Sequence, residues 1–314
     1  MTGRYGCTDS PPLACAIRPS LGRMDNRDEV KAFLSSRRAK ITPEQAGLTS
    51  YNRNRRVPGL RRSEVADLAG VSVEYYAQLE RGNLAGASEG VLEALARALH
   101  LDEAERLHLA ALARAAGPGS RTRRMPSAQQ VRPSVARVLE LMSDVPAFVN
   151  NGRGDVIAAN PLARALYAPM FDDPVRPANH ARFAFLSPRA RDFWRDWERI
   201  ATTTVAMLRA EAGRNPYDKA LTDLVGELCT RSEEFRTRWA DHDVRLHNTG
   251  IKQFRHPVVG ELDLNFETME LTADPGLSMT FLSAPAGAAA DDALRVLASW
   301  AATRGQAPAT PEPR

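Results

Sequence analysis

The sequence predicts two domains of different class: an all-α domain of five helices over residues 24–116, then an α+β domain over 134–285. Three observations carry this. Residues 60–82, LRRSEVADLAGVSVEYYAQLERG, read as two short helices joined by a tight turn, with further apolar stretches at helical spacing on both sides. Residues 146–160, PAFVNNGRGDVIAAN, read instead as strand, turn, strand, because Asn-Gly between apolar runs is a hairpin signal. Between them lies GPGSRTRRMPSAQQVRP at 117–133, rich in glycine, proline, serine and arginine and without periodicity, which reads as a linker.

Residues 1–23 read as a disordered extension, and Met24 is the expected translation start. PPLACAI is too short for the core of a signal peptide and is followed by arginine. Met24 to Lys40 is the first helix, with Val30, Phe33 and Leu34 on one face and Asn26 as its cap. Asp28 and Glu29 sit in its first turn, where negative charge suits the helix dipole. Pro43 to Leu48 is a short turn, and Tyr51 to Gly59 a basic loop closed by Pro58-Gly59. In the second helix Leu60, Val65, Leu68 and Ala69 form the apolar face. Gly70 allows the turn, because glycine enters left-handed backbone space without penalty, and Val71 wedges between the helices. Ser72 caps the third helix, which runs to Arg81 with Val73, Ala77 and Leu79 inward and Glu74, Tyr75 and Gln78 outward. Tyr76 fits either side. Ser88 caps a fourth helix through Leu99, and Asp102 a fifth through Ala115, with Leu107, Leu109, Ala111 and Leu112 for packing.

The second domain opens with a helix from Ser134 to Met142. Strands at 147–149 and 156–159 follow, and Asn160-Pro161 starts a helix through Leu166. This strand–turn–strand–helix opening is similar to a PAS domain. Ser187 to Ala212 reads as one long amphipathic helix carrying Phe193, Trp194, Trp197, Ile200, Thr204 and Leu208. Helices at 218–230 and 232–240 come next, then antiparallel strands at 249–255, 260–271 and 278–283. Residues 286–314 read as a terminal helix at 292–302 and a disordered tail.

Composition narrows the function. A hydrophobic content of 43% and a charged content of 25% suit a soluble chain with real cores. Cys7, Cys15 and Cys229 have neither metal spacing nor a disulfide framework, which points to the cytoplasm. No apolar run approaches the roughly 20 residues of a membrane span, so no membrane is expected. Between positions 37 and 62, eight basic residues (Arg37, Arg38, Lys40, Arg53, Arg55, Arg56, Arg61, Arg62) face one acid, Glu44, while the whole chain carries only +4. Such a local excess is the footprint of a phosphate-binding surface. A short helix offering polar side chains from its first turns suits the major groove. Glu74, Tyr75 and Gln78 are therefore the candidate readers of base edges, with Tyr76 as a fourth if it faces outward. Arg53, Arg55, Arg56, Arg61, Arg62 and Arg81 are the phosphate candidates, and Ser72 adds a cap that also reaches phosphate.

These residues carry a resemblance. RSEVADLAGVSVEYYAQLERG followed by VLEALARALHLDEAERLHLAALA resembles the Cro- and phage-repressor-type (XRE) helix-turn-helix. The variant with TPEQAGL, an arginine-rich insertion and VPGLRRSEVA resembles the MmyB-like transcriptional regulators. WADHDVR and KQFRHPVVGELDLNFETMEL resemble that family's C-terminal ligand-binding domain. GNLAGASEG departs from the proline-bearing loop more usual before the fourth helix. The resemblance implies double-stranded DNA as partner and a PAS-type sensor able to hold a long apolar, fatty-acid-like molecule. It also implies that Glu64 and Glu80 orient neighbouring arginines rather than read bases.

The aromatic stripe of the second domain has two readings. It is core, or Trp194, Trp197, Leu208 and Trp239 line a pocket, with Arg209, His242 or Arg245 meeting a carboxylate head. Asp241, His242, Asp243, His247 and His256 lack an HxxxH pair, and no GxSxG nucleophile motif is present, so neither an enzyme nor a cofactor is expected. The rival function is a DNA-binding regulator whose second domain serves only dimerisation or partner binding. A homodimer fits both.

Overall fold

The computed structural model describes residues 26–48, 57, 59–117, 130–240, 249–285 and 287–305. The expectations for residues 1–23, for Arg53, Arg55 and Arg56, for most of the linker, for His242 and Arg245, and for the tail beyond 305 lie outside the described residues.

Helices α1 (Asn26–Lys40), α2 (Arg62–Ala69), α3 (Val73–Glu80), α4 (Glu89–Ala98) and α5 (Glu103–Ala116) build the first domain. Three of the expected caps are present: Ser72, Ser88 and Asp102 accept from the backbone N–H of Tyr75, Val91 and Glu105. Asn26 does not cap α1; it lies inside the helix, buried, and its Nδ2 donates to the Leu112 carbonyl of α5. Gly70 closes α2 at φ 65°, so the chain turns into α3 without side-chain strain. Val30, Phe33, Leu34, Leu60, Val65, Tyr76 and Leu79 meet in one core with residues of α4 and α5. Three apolar residues expected inside are outside: Leu68, Val73 and Leu107 are exposed. In helices this short, the inward face is filled by Val65, Ala66 and Ala69 on α2 and by Tyr76 and Leu79 on α3. A residue one step round the helix from that face turns toward solvent.

The second domain begins with α6 (Pro133–Leu141), followed by β1 (Ala147–Asn151), β2 (Val156–Ala159), α7 (Pro161–Leu166), α8 (Ala168–Phe171), α9 (His180–Leu186) and α10 (Ala190–Phe193). Then come α11 (Trp197–Arg214), α12 (Lys219–Arg231), α13 (Glu233–Ala240), β3 (Thr249–His256), β4 (Gly260–Glu270), β5 (Leu277–Ser283) and α14 (Ala289–Gly305). The strands form one antiparallel sheet in the order β2-β1-β5-β4-β3. Its register sets the faces. Gly250 pairs with Phe266, Lys252 with Leu264, Phe254 with Leu262, and Phe266 with Leu282, so these side chains share the inner face. Ala147, Val149 and Leu277 point the other way, onto Val135 and Leu139 of α6. Asn160 ties the entry together: Oδ1 accepts from Ala147 and Ala163 N–H, while Nδ2 donates to the carbonyls of Met142 and Val145.

Two differences from the sequence reading matter for the site. The long helix expected over 187–212 is broken. Trp194 turns extended (φ −97°, ψ 119°) and bridges to Phe254, Arg195 N–H donates to the Gln253 carbonyl, and Asp196 caps a new helix. The edge of β3 thus takes backbone bonds that an unbroken helix would keep for itself. The terminal helix α14 lies on the inner-face core, where Leu294 and Leu297 are buried beside Leu264 and Phe266.

Candidate functional site

The candidate DNA surface is the outer side of α3. Glu74 and Gln78, four residues apart, are exposed on one face, and Tyr75 is half-buried beside them. The Ser72 hydroxyl, which accepts from Tyr75 N–H at 3.1 Å, is exposed at the start of the same helix, and Arg81 is exposed at its end. Tyr76 is not part of this surface. Its ring is fully buried in the core, and burial, then the nearby Glu80 charge, pushes its phenol far above the ordinary range. At helical pitch Tyr76 lies about 100° from Tyr75, on the side that faces α1 and α2.

Buried charge anchors α3 beneath this surface. Glu80 is 3% exposed, and both of its oxygens accept from Arg38 (Nε 3.1 Å, Nη2 2.9 Å) and from Arg62 (Nε 3.3 Å, Nη2 3.2 Å). Burial alone would raise this carboxyl. The hydrogen bonds and charges of Arg38 and Arg62 outweigh it and hold the group below the usual carboxylate range. Glu64 accepts from Arg61 N–H at 2.6 Å and so fixes the start of α2. Glu80 therefore orients two arginine side chains, whereas the bond from Glu64 is a cap on the backbone at the start of α2. The network also divides the basic run of 37–62. Arg37 is buried against Glu105 at 3.1 Å, and Arg38 bonds Glu80 and the Leu60 carbonyl. Neither is a surface cation. Arg61 is exposed, and Arg62 is 55% exposed while still sharing Glu80.

In the second domain, Trp194 and Trp197 belong to the inner-face core with Phe193, Phe254 and Phe266. The Trp197 indole donates to the Ala184 carbonyl at 2.9 Å, and Arg191 lies over its ring. Leu208 sits in a neighbouring cluster with Phe235, and Trp239 packs at the edge of that cluster. The stripe is thus divided between two packed clusters rather than gathered around one space. Arg209 is fully buried, but its partner is not a ligand: Nη1 donates to Glu29 Oε1 of α1 at 2.6 Å, and Nη2 donates to the Trp239 carbonyl. An open cleft of about 490 Å³ lies elsewhere, between α8, α10, the β3–β4 turn and α14, and it shares only Phe193 with the expected pocket-and-stripe residues.

His256 is structural, as its place at a strand turn suggested. Nε2 lies 3.1 Å from the Ala165 carbonyl, and Nδ1 accepts from Val258 N–H at 3.2 Å, which describes a neutral ring. Burial pushes its pKa down. Lys252 was not singled out from the sequence, although alternation along TGIKQFRH places it on the face of Phe254 and His256. Its ammonium lies over the Phe266 ring at 4.8 Å, and burial, then the Arg199 charge, lowers its pKa to about 8.

A family model described as a helix-turn-helix domain matches residues 37–109. A second, described as the MmyB-like transcription regulator ligand binding domain, matches residues 131–297, more than half of the chain. Among curated proteins, none matches it. Neither matching family is an enzyme family. Among the described residues, no helix is long and apolar enough to cross a membrane. A helix-turn-helix DNA-binding domain followed by an MmyB-like ligand-binding domain makes a transcriptional regulator, and the chain belongs to the MmyB-like transcription regulators.

Proposed function

We propose that this regulator reads double-stranded DNA through Glu74, Tyr75 and Gln78 and positions itself on phosphate through Arg53, Arg55, Arg56, Arg61, Arg62, Arg81 and Ser72. Its second domain takes up a small apolar molecule with an acidic head, of the fatty-acid class. The observation that carries the DNA part is α3 itself: a polar outer face on a helix held from beneath by Glu80, Arg38 and Arg62. Glutamate accepts from a cytosine amino group and glutamine pairs with adenine, so this face offers base-specific chemistry.

For the ligand, the apolar side chains of the inner sheet face favour an apolar tail, which has to displace part of the packing of α10 and α14 on that face, and Lys252 favours an acidic head. A half-buried ammonium with a lowered pKa on a mostly apolar face costs stability, and such groups gather at functional sites. Arg209, already bonded to Glu29, is the weaker candidate for that role. The test is titration of the delipidated full-length protein with a fluorescent hexadecanoic acid, wild type against Lys252→Met. Saturable binding that the variant loses supports the reading. Absence of saturable binding to the wild type removes it.

A second reading is favoured by the packing of Trp194, Trp197 and Leu208 as core: the second domain serves assembly, with two chains forming a homodimer. Native mass spectrometry separates the two, because it reports subunit number and any carried ligand mass together.

A further inference from the structure

We propose that Arg209 is the pin of a latch that docks the DNA-binding domain on the ligand-binding domain and carries ligand occupancy to the operator. The regulatory part rests on the ligand reading above; the docking part does not. Arg209 has no exposed surface, and its bonds are divided between the domains. One nitrogen donates to Glu29 on α1 at 2.6 Å, the other to the Trp239 carbonyl at the end of α13, and the guanidinium lies 4.1 Å over the Trp239 ring. A buried guanidinium is stable only while paired, so separating the domains leaves a charge that must find water or a new acid.

The surrounding surfaces are shaped for this contact. On α11 Gly213 lies one turn from both Arg209 (i+4) and Ala210 (i+3), so the three span an arc of about 100° toward the first domain. Ala210 packs against the core of the first domain. Gly213 faces His108 of α5 so closely that a Cβ there would overlap the imidazole ring. His108 itself lies 3.7 Å from Glu29 and edge-on to Phe33 at 4.9 Å. The absent side chain at Gly213 lets α5 lie flat on α11.

Rings in contact also run from the latch to the inner sheet core. Trp239 stacks on Phe235 (5.5 Å, 17°), Phe235 meets Phe185 at 5.0 Å, and Phe185 meets Trp197 at 5.9 Å. These contacts are the route by which the latch would couple a change in that core to the ring and the carbonyl that hold Arg209. Glu74 and Gln78 stay exposed while the domains are docked. The latch therefore sets the orientation of the reading helix and does not cover it. Coupling of this kind requires the ligand to favour one arrangement of the domains over another.

The test uses the full chain with two independent lesions, Glu29→Gln and Gly213→Ala. The first removes the carboxylate that pairs with Arg209. The second inserts a Cβ against His108 in a helix where alanine is a better helix former than glycine, so loss of α11 itself is not the expected effect. Amide exchange by mass spectrometry is expected to show at least tenfold lost protection on the facing segments of α5 and α11, with the sheet and α3 unchanged. Operator affinity is measured with and without hexadecanoic acid. The wild-type ratio of the two affinities is expected to fall to within twofold of unity in both variants. Unchanged protection in both variants overturns the latch, and so does lost protection with an undiminished ratio. If the wild type binds no hexadecanoic acid, the ligand reading has failed and the latch is judged without it. Operator affinities of the variants more than threefold from wild type then support it, and affinities within threefold overturn it.

Discussion

Glu80→Gln keeps the size of the side chain and removes the charge that two guanidinium groups share. Removing one member of a buried ion pair costs about 3–5 kcal/mol, because the remaining charge stays desolvated. Arg38 is 16% exposed and Arg62 is 55% exposed. Water therefore recovers part of the loss, and the expected cost is about 2–3 kcal/mol. In a domain of this size that is a fall of on the order of 10–20 °C in melting temperature. All four tryptophans, Trp194, Trp197, Trp239 and Trp300, lie in the second domain, so their fluorescence does not report this change. Amide exchange over residues 62–80 during denaturant unfolding does. The sign with pH is determined by the lowered carboxyl. A group whose folded pKa lies below its unfolded value of about 4.3 contributes stability above that pH and loses it as pH falls through the folded value. The gap between wild type and variant should be full at neutral pH and close in acid below about pH 4. A gap under about 0.5 kcal/mol at neutral pH, or one that persists in strong acid, would refute the anchoring role given to this network.

Three further outcomes are expected. Gln78→Ala should leave stability unchanged and relax discrimination at one base position by about 1–3 kcal/mol, read by binding-site selection; an effect spread evenly over all sequences would make Gln78 a positioning residue instead. Lys252→Met should raise stability by about 1–3 kcal/mol at pH 7. A lysine with a folded pKa of about 8 is disfavoured in the fold while charged, so the gain should fade as pH rises above about 8 and vanish beyond the unfolded pKa of about 10.4, and chemical denaturation at pH 7 and 11 checks both ends. Trp197→Ala should cost about 3–5 kcal/mol in the second domain, because the ring is buried and its indole is bonded to Ala184; unchanged stability with lost hexadecanoic acid binding would return Trp197 to the pocket lining.

Much of the first domain was legible because its signals are local. Ser72, Ser88 and Asp102 each act on an N–H three residues away, and Gly70 acts on its own dihedral angles. Glu74 and Gln78 share an exposed face because four residues is close to one helical turn. Tyr76 was ambiguous on the same grounds, since a large amphipathic ring at the border of a short helix goes wherever the neighbouring helices leave room. The core of α1 and α2 left that room, and Tyr76 filled it. In the second domain the stripe from Phe193 to Leu208 predicted the burial of Phe193, Trp194, Trp197 and Leu208, with Ile200 and Thr204 half-buried, but not the break at Trp194. The reason is that the edge of β3, some sixty residues away, offers the backbone partners that end the helix.

What the sequence determined by itself is therefore what short-range chemistry decides: the caps, the glycine turn, the apolar periods and the polar outer face of the recognition helix. Charge at a given position was visible, but its partner was not. Arg37 and Arg38 looked like phosphate cations until Glu105 and Glu80 were found against them. Arg209 looked like a seat for a ligand's carboxylate, yet its carboxylate belongs to Glu29, 180 residues earlier in the chain. A guanidinium pairs with whichever acid the packed helices bring within reach, and only the tertiary structure, by laying α1 and α5 on α11, decides which acid that is.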